Sequence, residues 1–363
     1  MKKYFNSLSF FRILAFLSVF LLHLSSYNTT SIELNAAWAV SFFFMVSAFL
    51  YGYKFYDKKI KLSDTKSFIV NKIKKIYPLY FIMIILFLPW EGFLHLGGDA
   101  VTFFTKLFLQ LTMTQCFAVN LDYTYSFNAP AWFISTFMFF MLLTIPFCIL
   151  LKKIVKNRKR GIIAILIITI LDILYINLVF KLNLSRTTFL YVFPTCRVFE
   201  FLIAMITGML FRQTYKEKEA TKKRKIVFTI LEVATMALLI LSIKYLPGWF
   251  PRYSNSFIWL IPNIIILLLF SCETGYLSKL LSIKPIVYLG NLTFPAYILH
   301  QFIFINYYTI PAINDGMTDR GKLISLLFIL FVCFFLASVV NKINFNPTFE
   351  FIGNIFRRKK KKR

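Results

Sequence analysis

Ten long apolar segments run along this chain, near residues 8–27, 36–55, 76–96, 131–151, 161–180, 190–211, 226–245, 257–272, 287–308 and 323–340. About 20 apolar residues in a helix match the hydrocarbon thickness of a bilayer, and inside lipid a backbone must satisfy its own hydrogen bonds. The expected fold is therefore all-α, a polytopic integral membrane protein with about ten transmembrane helices. Composition agrees: 58% of the 363 residues are hydrophobic, 19% are aromatic and 45 are phenylalanine. A soluble domain has no interior large enough for that surface.

The formal net charge of +27 would suggest nucleic acid as a partner for a soluble protein. Here the cations are concentrated in particular loops, which points instead to membrane orientation and anionic lipid at the cytoplasmic face. Eight lysines fall within residues 54–75, six basic residues within 152–160 and seven within 212–225, and residues 357–363 are all basic. Residues 28–35 carry no Lys or Arg, and 97–129 carry only Lys106. With ten spans every basic segment lies on one side, so both termini are expected in the cytoplasm of a multi-pass cell-membrane protein. The shorter stretch 101–119 holds Lys106 and Gln110, and reads as an interfacial or re-entrant piece. One transmembrane domain over 1–345 and a basic tail over 346–363 account for the chain. Arg12 interrupts the first apolar run and no small-residue cleavage site follows, so that run is expected to be an uncleaved helix rather than a signal peptide. Five scattered cysteines show neither metal-ligand spacing nor a disulfide framework.

Arg12 and His23 lie inside the first apolar run. Charged or titratable groups in a bilayer are costly and mark function. Eleven residues at about 100° each return His23 to within roughly 20° of the Arg12 face, about 16 Å further along the helix axis. A neutral imidazole there can take a proton from a hydroxyl or accept an acyl group itself. Lys72 and Lys75 share one helical face just before the third span. That is a phosphate site, or simply the positive-inside rule at work. Ser47 and Ala48 are small residues in a Phe-rich helix, which permits close helix approach. Arg197 and Glu200 stand three residues apart within the sixth apolar segment, as a functional pair or a structural ion pair.

Together these residues resemble the membrane acyltransferase 3 family. The likeness is carried in order by Arg12-x10-His23, Phe42-Phe43-Phe44-Met45-Val46-Ser47-Ala48-Phe49-Leu50, and the basic stretch leading into Ile76-Tyr77-Pro78-Leu79-Tyr80. Ala131-Trp132-Phe133-Ile134-Ser135, Arg197-Val198-Phe199-Glu200-Phe201-Leu202 and Tyr297-Ile298-Leu299-His300-Gln301 complete it. The resemblance implies transfer of an acyl group, commonly acetyl from acetyl-CoA, to a hydroxyl of a cell-surface or lipid-linked glycan. It makes Arg12 and His23 the central pair, and with Phe137 standing where many members carry Glu, Glu200 is the intramembrane carboxylate left as a candidate to orient the imidazole. It places Lys72 and Lys75 where the family usually carries Arg-x-x-Arg, near the coenzyme A phosphates, with Arg12 either holding a phosphate or, as a catalytic residue, polarising the thioester carbonyl. It puts Ser47, Trp132, Arg197, Tyr297 and His300 around the substrate pocket. Two departures stand out: many members have Gly where Ala48 stands, and many carry Glu where Phe137 stands. Acyl-CoA is expected as the donor substrate, with no permanently bound cofactor and no metal. The rival reading is a transporter or flippase of a lipid-linked glycan, although no similarity between halves supports it.

Overall fold

The computed structural model describes residues 5–25, 36–95, 99–215, 219–308 and 318–343. The basic tail expected over 346–363, the loop over 28–35 and the side chain of His95 lie outside the described residues. All regular structure among them is helical. In chain order these are α1 (Leu8–Ser25), α2 (Ala36–Phe55), α3 (Asp64–His95), α4 (Ala100–Leu111), α5 (Leu121–Thr124), α6 (Trp132–Ile154) and α7 (Arg158–Lys181). They continue with α8 (Pro194–Thr214), α9 (Lys222–Trp249), α10 (Leu260–Phe270), α11 (Tyr276–Leu280), α12 (Lys284–Tyr308) and α13 (Asp319–Lys342).

Eight helical stretches among the described residues are long and apolar enough to cross a membrane. Two further segments were expected to cross. Phe257–Phe270 is a shorter apolar helix, and α12 is 25 residues long with Pro295 inside it. The stretch 101–119 forms the 12-residue α4 and a 3-10 turn at Gln115–Phe117. At 1.5 Å per residue α4 spans about 18 Å, too little to cross a bilayer. It buries Lys106 and Gln110 and turns Val101, Phe104 and Phe108 outward. The third helix begins at Asp64, well before the expected apolar run, so the lysines of residues 66–75 ride on the same helix as the span. Where one continuous run was expected over 190–211, a single π turn (Thr188–Val192) ends at extended Phe193, and Pro194 opens α8 as its first residue.

Helix ends gather into two faces of the bundle. At one, Arg212 of α8 pairs with Asp57 after α2, and Lys152 Nζ donates to the Lys58 carbonyl at 2.6 Å. Ser7 just before α1 joins this face through its Oγ, which donates to the Phe270 carbonyl at 2.7 Å. This is the basic end. α1 and α12 run parallel away from it, with Gly290 against Ser9 near the basic end and His300 against His23 further on.

Packing at the centre depends on small residues. A Cβ on Gly208 of α8 would lie 2.1 Å from the Phe49 carbonyl of α2, and one on Gly52 would lie 2.0 Å from the Met205 carbonyl. The two backbones therefore touch, which requires glycine at both points. By contrast α7, α9 and α13 turn residues such as Leu166, Ile230 and Phe331 outward, as lipid-facing helices do.

Candidate active site

A cavity of about 680 Å³ opens among α1, α2, α3, α6, α12 and the end of α13. Its basic end is formed by Arg12 and by Asn71, Lys72, Lys74 and Lys75 of α3, and its deeper wall by Phe43, Val46, Phe133, Phe137 and Tyr297. Two prolines each remove one helix hydrogen bond beside the cavity. Pro78 has no N–H to give the Lys74 carbonyl, and Pro295 none for the Asn291 carbonyl. All of these but Pro78 line the cavity.

Arg12 faces the cavity, and among the described residues no carboxylate pairs with it. Lys72 Nζ lies 5.0 Å from the ring centroid of Tyr51 and 5.5 Å from that of Phe68. Lys72 is thus a half-buried cation held over two aromatic faces. Among the described residues no Asp or Glu lines the cavity beside these cations, and such a cluster is built to receive an anion from outside. Of the residues expected near donor or substrate, Arg12, Ser47, Lys72, Lys75 and Tyr297 come together here.

His23 and His300 lie beyond the inner end of the cavity. His300 stands one turn after Tyr297, is fully buried, and has its Nδ1 2.5 Å from the Tyr297 carbonyl. Its Nε2 is 2.7 Å from His23 Nδ1. The ring centroids are 5.0 Å apart and the planes differ by 5°. Nitrogens so much closer than the centroids place the rings edge to edge in nearly one plane. A ring nitrogen lone pair needs that orientation to accept an N–H. Phe16, Phe20 and Phe304 pack around His300.

The structure corrects the expected partner of His23. Glu200 accepts from Ser41 Oγ at 2.7 Å and pairs with Arg197 Nη1 at 3.3 Å, so the imidazole is oriented by His300 and not by this carboxylate. Arg197 also donates to the carbonyls of Tyr191 and Asn255, both at 2.9 Å. Trp132 packs 5.0 Å from the Tyr191 ring, over which Arg197 is also placed, at 4.9 Å. Trp132, Arg197 and Glu200 thus form a second polar cluster that does not line the cavity.

Sequence reasoning did not single out Lys74, Asn71 or Asn291. Lys74 was legible as part of the Lys72-Ile73-Lys74-Lys75 run, and Asn291 only through Pro295 one turn later.

An acyltransferase-domain family model matches residues 5–342. The chain belongs to the acyltransferase 3 family. Every residue of the cavity and of the histidine pair named above falls inside the matched range. Among curated proteins, the peptidoglycan O-acetyltransferase OatA of Listeria monocytogenes serovar 1/2a is 22% identical over 320 residues, which cover 82% of this chain and 49% of the relative. This acyltransferase 3 chain therefore spans about half the length of the curated relative it matches. No solved structure matches it.

Proposed function

We propose that this chain is a membrane-embedded O-acyltransferase that moves an acyl group, acetyl in the first instance, from cytoplasmic acyl-CoA to a hydroxyl of an extracytoplasmic or lipid-linked glycan. One observation carries the reading. A cavity with Arg12, which no carboxylate among the described residues pairs, and three lysines at one end runs inward to Tyr297, one turn before a hydrogen-bonded histidine pair. The relative's peptidoglycan substrate favours a cell-wall glycan as acceptor.

The positive-inside rule sets the basic end in the cytoplasm, where acyl-CoA is made available. Lys72, Lys74 and Lys75 receive the coenzyme phosphates as point charges, without the bidentate fork that arginine would bring. Arg12 stands about 16 Å along the helix from His23. A general base must lie within about 3 Å of the proton it removes. Arg12 is therefore too far from that centre to polarise the reacting carbonyl, and its task is a phosphate. The pantetheine arm extends along the apolar wall toward His23. There the imidazole takes the proton of the acceptor hydroxyl as its oxygen attacks the thioester carbonyl. The C–S bond breaks, coenzyme A leaves as the thiolate, and the proton on His23 passes to it, giving a glycan ester and free thiol.

The chain reconstituted in lipid, supplied with acetyl-CoA and a peptidoglycan oligosaccharide, tests this reading. Thiol release matched by alkali-labile ester on the oligosaccharide is the expected result. Movement of the glycan across the bilayer with no thiol released would overturn it in favour of a transporter.

A further inference from the structure

The hydrogen-bond chain from His23 to the backbone fixes which nitrogen of His23 can react. A carbonyl oxygen only accepts, so the 2.5 Å contact with the Tyr297 carbonyl puts the hydrogen of His300 on Nδ1. A neutral imidazole has one N–H, so His300 Nε2 is then a lone pair. The 2.7 Å contact between that nitrogen and His23 Nδ1 needs one hydrogen, and His23 must supply it. His23 Nε2 is left with its lone pair free. The alternative, a doubly protonated His300 donating to His23, would bury a cation among Phe16, Phe20 and Phe304. Among the described residues, the titratable groups against His300 are His23 and the Tyr297 phenol, and the latter donates to the Pro130 carbonyl at 2.9 Å. Neither supplies a negative charge, and an uncompensated buried cation costs several kcal/mol.

We infer that His300 is a positioning residue which, anchored on the Tyr297 carbonyl, holds His23 as the Nδ1–H tautomer so that Nε2 is the reacting atom. The inference rests on the acyl-transfer reading for its consequence but not for its geometry. It applies whether Nε2 removes a proton or carries the acyl group, because both need the same lone pair. His300 takes the place a carboxylate holds in other imidazole-based sites, and does so without burying a charge. The 18 residues of α1 and the 25 of α12 serve as two parallel rails that set the distance.

The test is nitrogen-15 magnetic resonance of histidine-labelled full-length protein in lipid bilayers. The chain has three histidines, so a His23→Gln sample assigns the His23 signals by difference. In the unmodified protein near neutral pH, His23 is expected to show a protonated Nδ1 and an imine-type Nε2. Protonation at Nε2, or at both nitrogens, would overturn the inference whatever the activity is. In parallel, His300→Leu should lower kcat for acyl transfer by about 10²–10⁴-fold, the cost of a base in the wrong tautomer, with KM for acyl-CoA within about twofold. His300→Gln, whose side-chain carbonyl can still accept from His23 Nδ1, should recover most of that loss. Equal loss in the Leu and Gln variants, both folded, would overturn it. If the unmodified protein transfers no acyl group, the functional reading fails while the resonance result still decides the tautomer.

Discussion

Lys72 Nζ lies 5.0 Å from the centroid of the Tyr51 ring, so a cation of α3 is carried on an aromatic face of α2 at the basic end of the cavity. This arrangement aims charge into the cavity while the side chain's stem stays packed. Charge-assisted hydrogen bonds contribute about 1.5–3 kcal/mol each. Replacing Lys72 or Lys75 with Ala should therefore raise KM for acyl-CoA by about 10- to 100-fold with kcat little changed. The check is thiol release measured across donor concentrations, at low and high salt. A defect confined to kcat would place the phosphates elsewhere.

Arg197 and Glu200 are both fully buried and pair at 3.3 Å. Removing one partner leaves the other charge alone in the membrane interior, at a cost of about 3–5 kcal/mol. Arg197→Met or Glu200→Leu alone should sharply lower the thermal midpoint in detergent or the yield of folded protein. The double variant should recover much of the loss. If instead Glu200→Gln keeps full thermal stability and abolishes transfer, the carboxylate has a chemical role.

Gly208 leaves no room for a side chain against the Phe49 carbonyl. Gly208→Val should drive α2 and α8 apart and lower folded protein in the membrane more than Gly248→Val, where a Cβ meets nothing within 4 Å. Quantitative immunodetection of the membrane fraction, with thermal unfolding of what survives, makes the comparison.

Lys106 ties the segment after α4 to the end of α3. Its Nζ lies 3.2 Å from Glu91 and 2.9 Å from Asp122, while the other Glu91 oxygen accepts from the Phe127 N–H at 3.0 Å. Burial works against the ammonium's charge, but the hydrogen bonds and charges of Asp122 and Glu91 more than offset this, so its pKa is raised above 10.5. A raised lysine stabilises the fold fully below its unfolded value, and the contribution is lost as pH rises through the folded value. Protection of residues 121–131 against hydrogen exchange, taken relative to the intrinsic rate at each pH, should therefore hold up to pH 10.5 and fall above it. In Lys106→Met that protection should be weak at all pH values.

Much of the architecture was legible because lipid leaves the backbone few choices, and apolar length alone marks where helices form. Arg12 with His23, and Lys72 with Lys75, were legible because each pair rides on a single helix, where spacing alone fixes the shared face. The partner of His23 was not. His300 is 277 positions away, and only the parallel packing of α1 and α12 brings it to the imidazole. The ion pair of Glu200 with Arg197 was legible three residues away on the same helix, whereas the hydrogen bond it accepts from Ser41 of α2 was not. The five-residue α11 went unseen because its cap is a tertiary contact, with Glu232 of α9 accepting from the Gly275 and Ser278 amides at 3.1 and 3.0 Å.

The central claim is that His23 is the reacting imidazole of an acyl transfer. Its most direct test compares His23→Ala with the unmodified protein at equal membrane abundance, in lipid, with labelled acetyl-CoA and a peptidoglycan oligosaccharide. The account predicts that ester formation falls by about 10²–10⁴-fold while acetyl-CoA still binds at the lysine-lined end of the cavity. Ester formation at the unmodified rate in His23→Ala would contradict it.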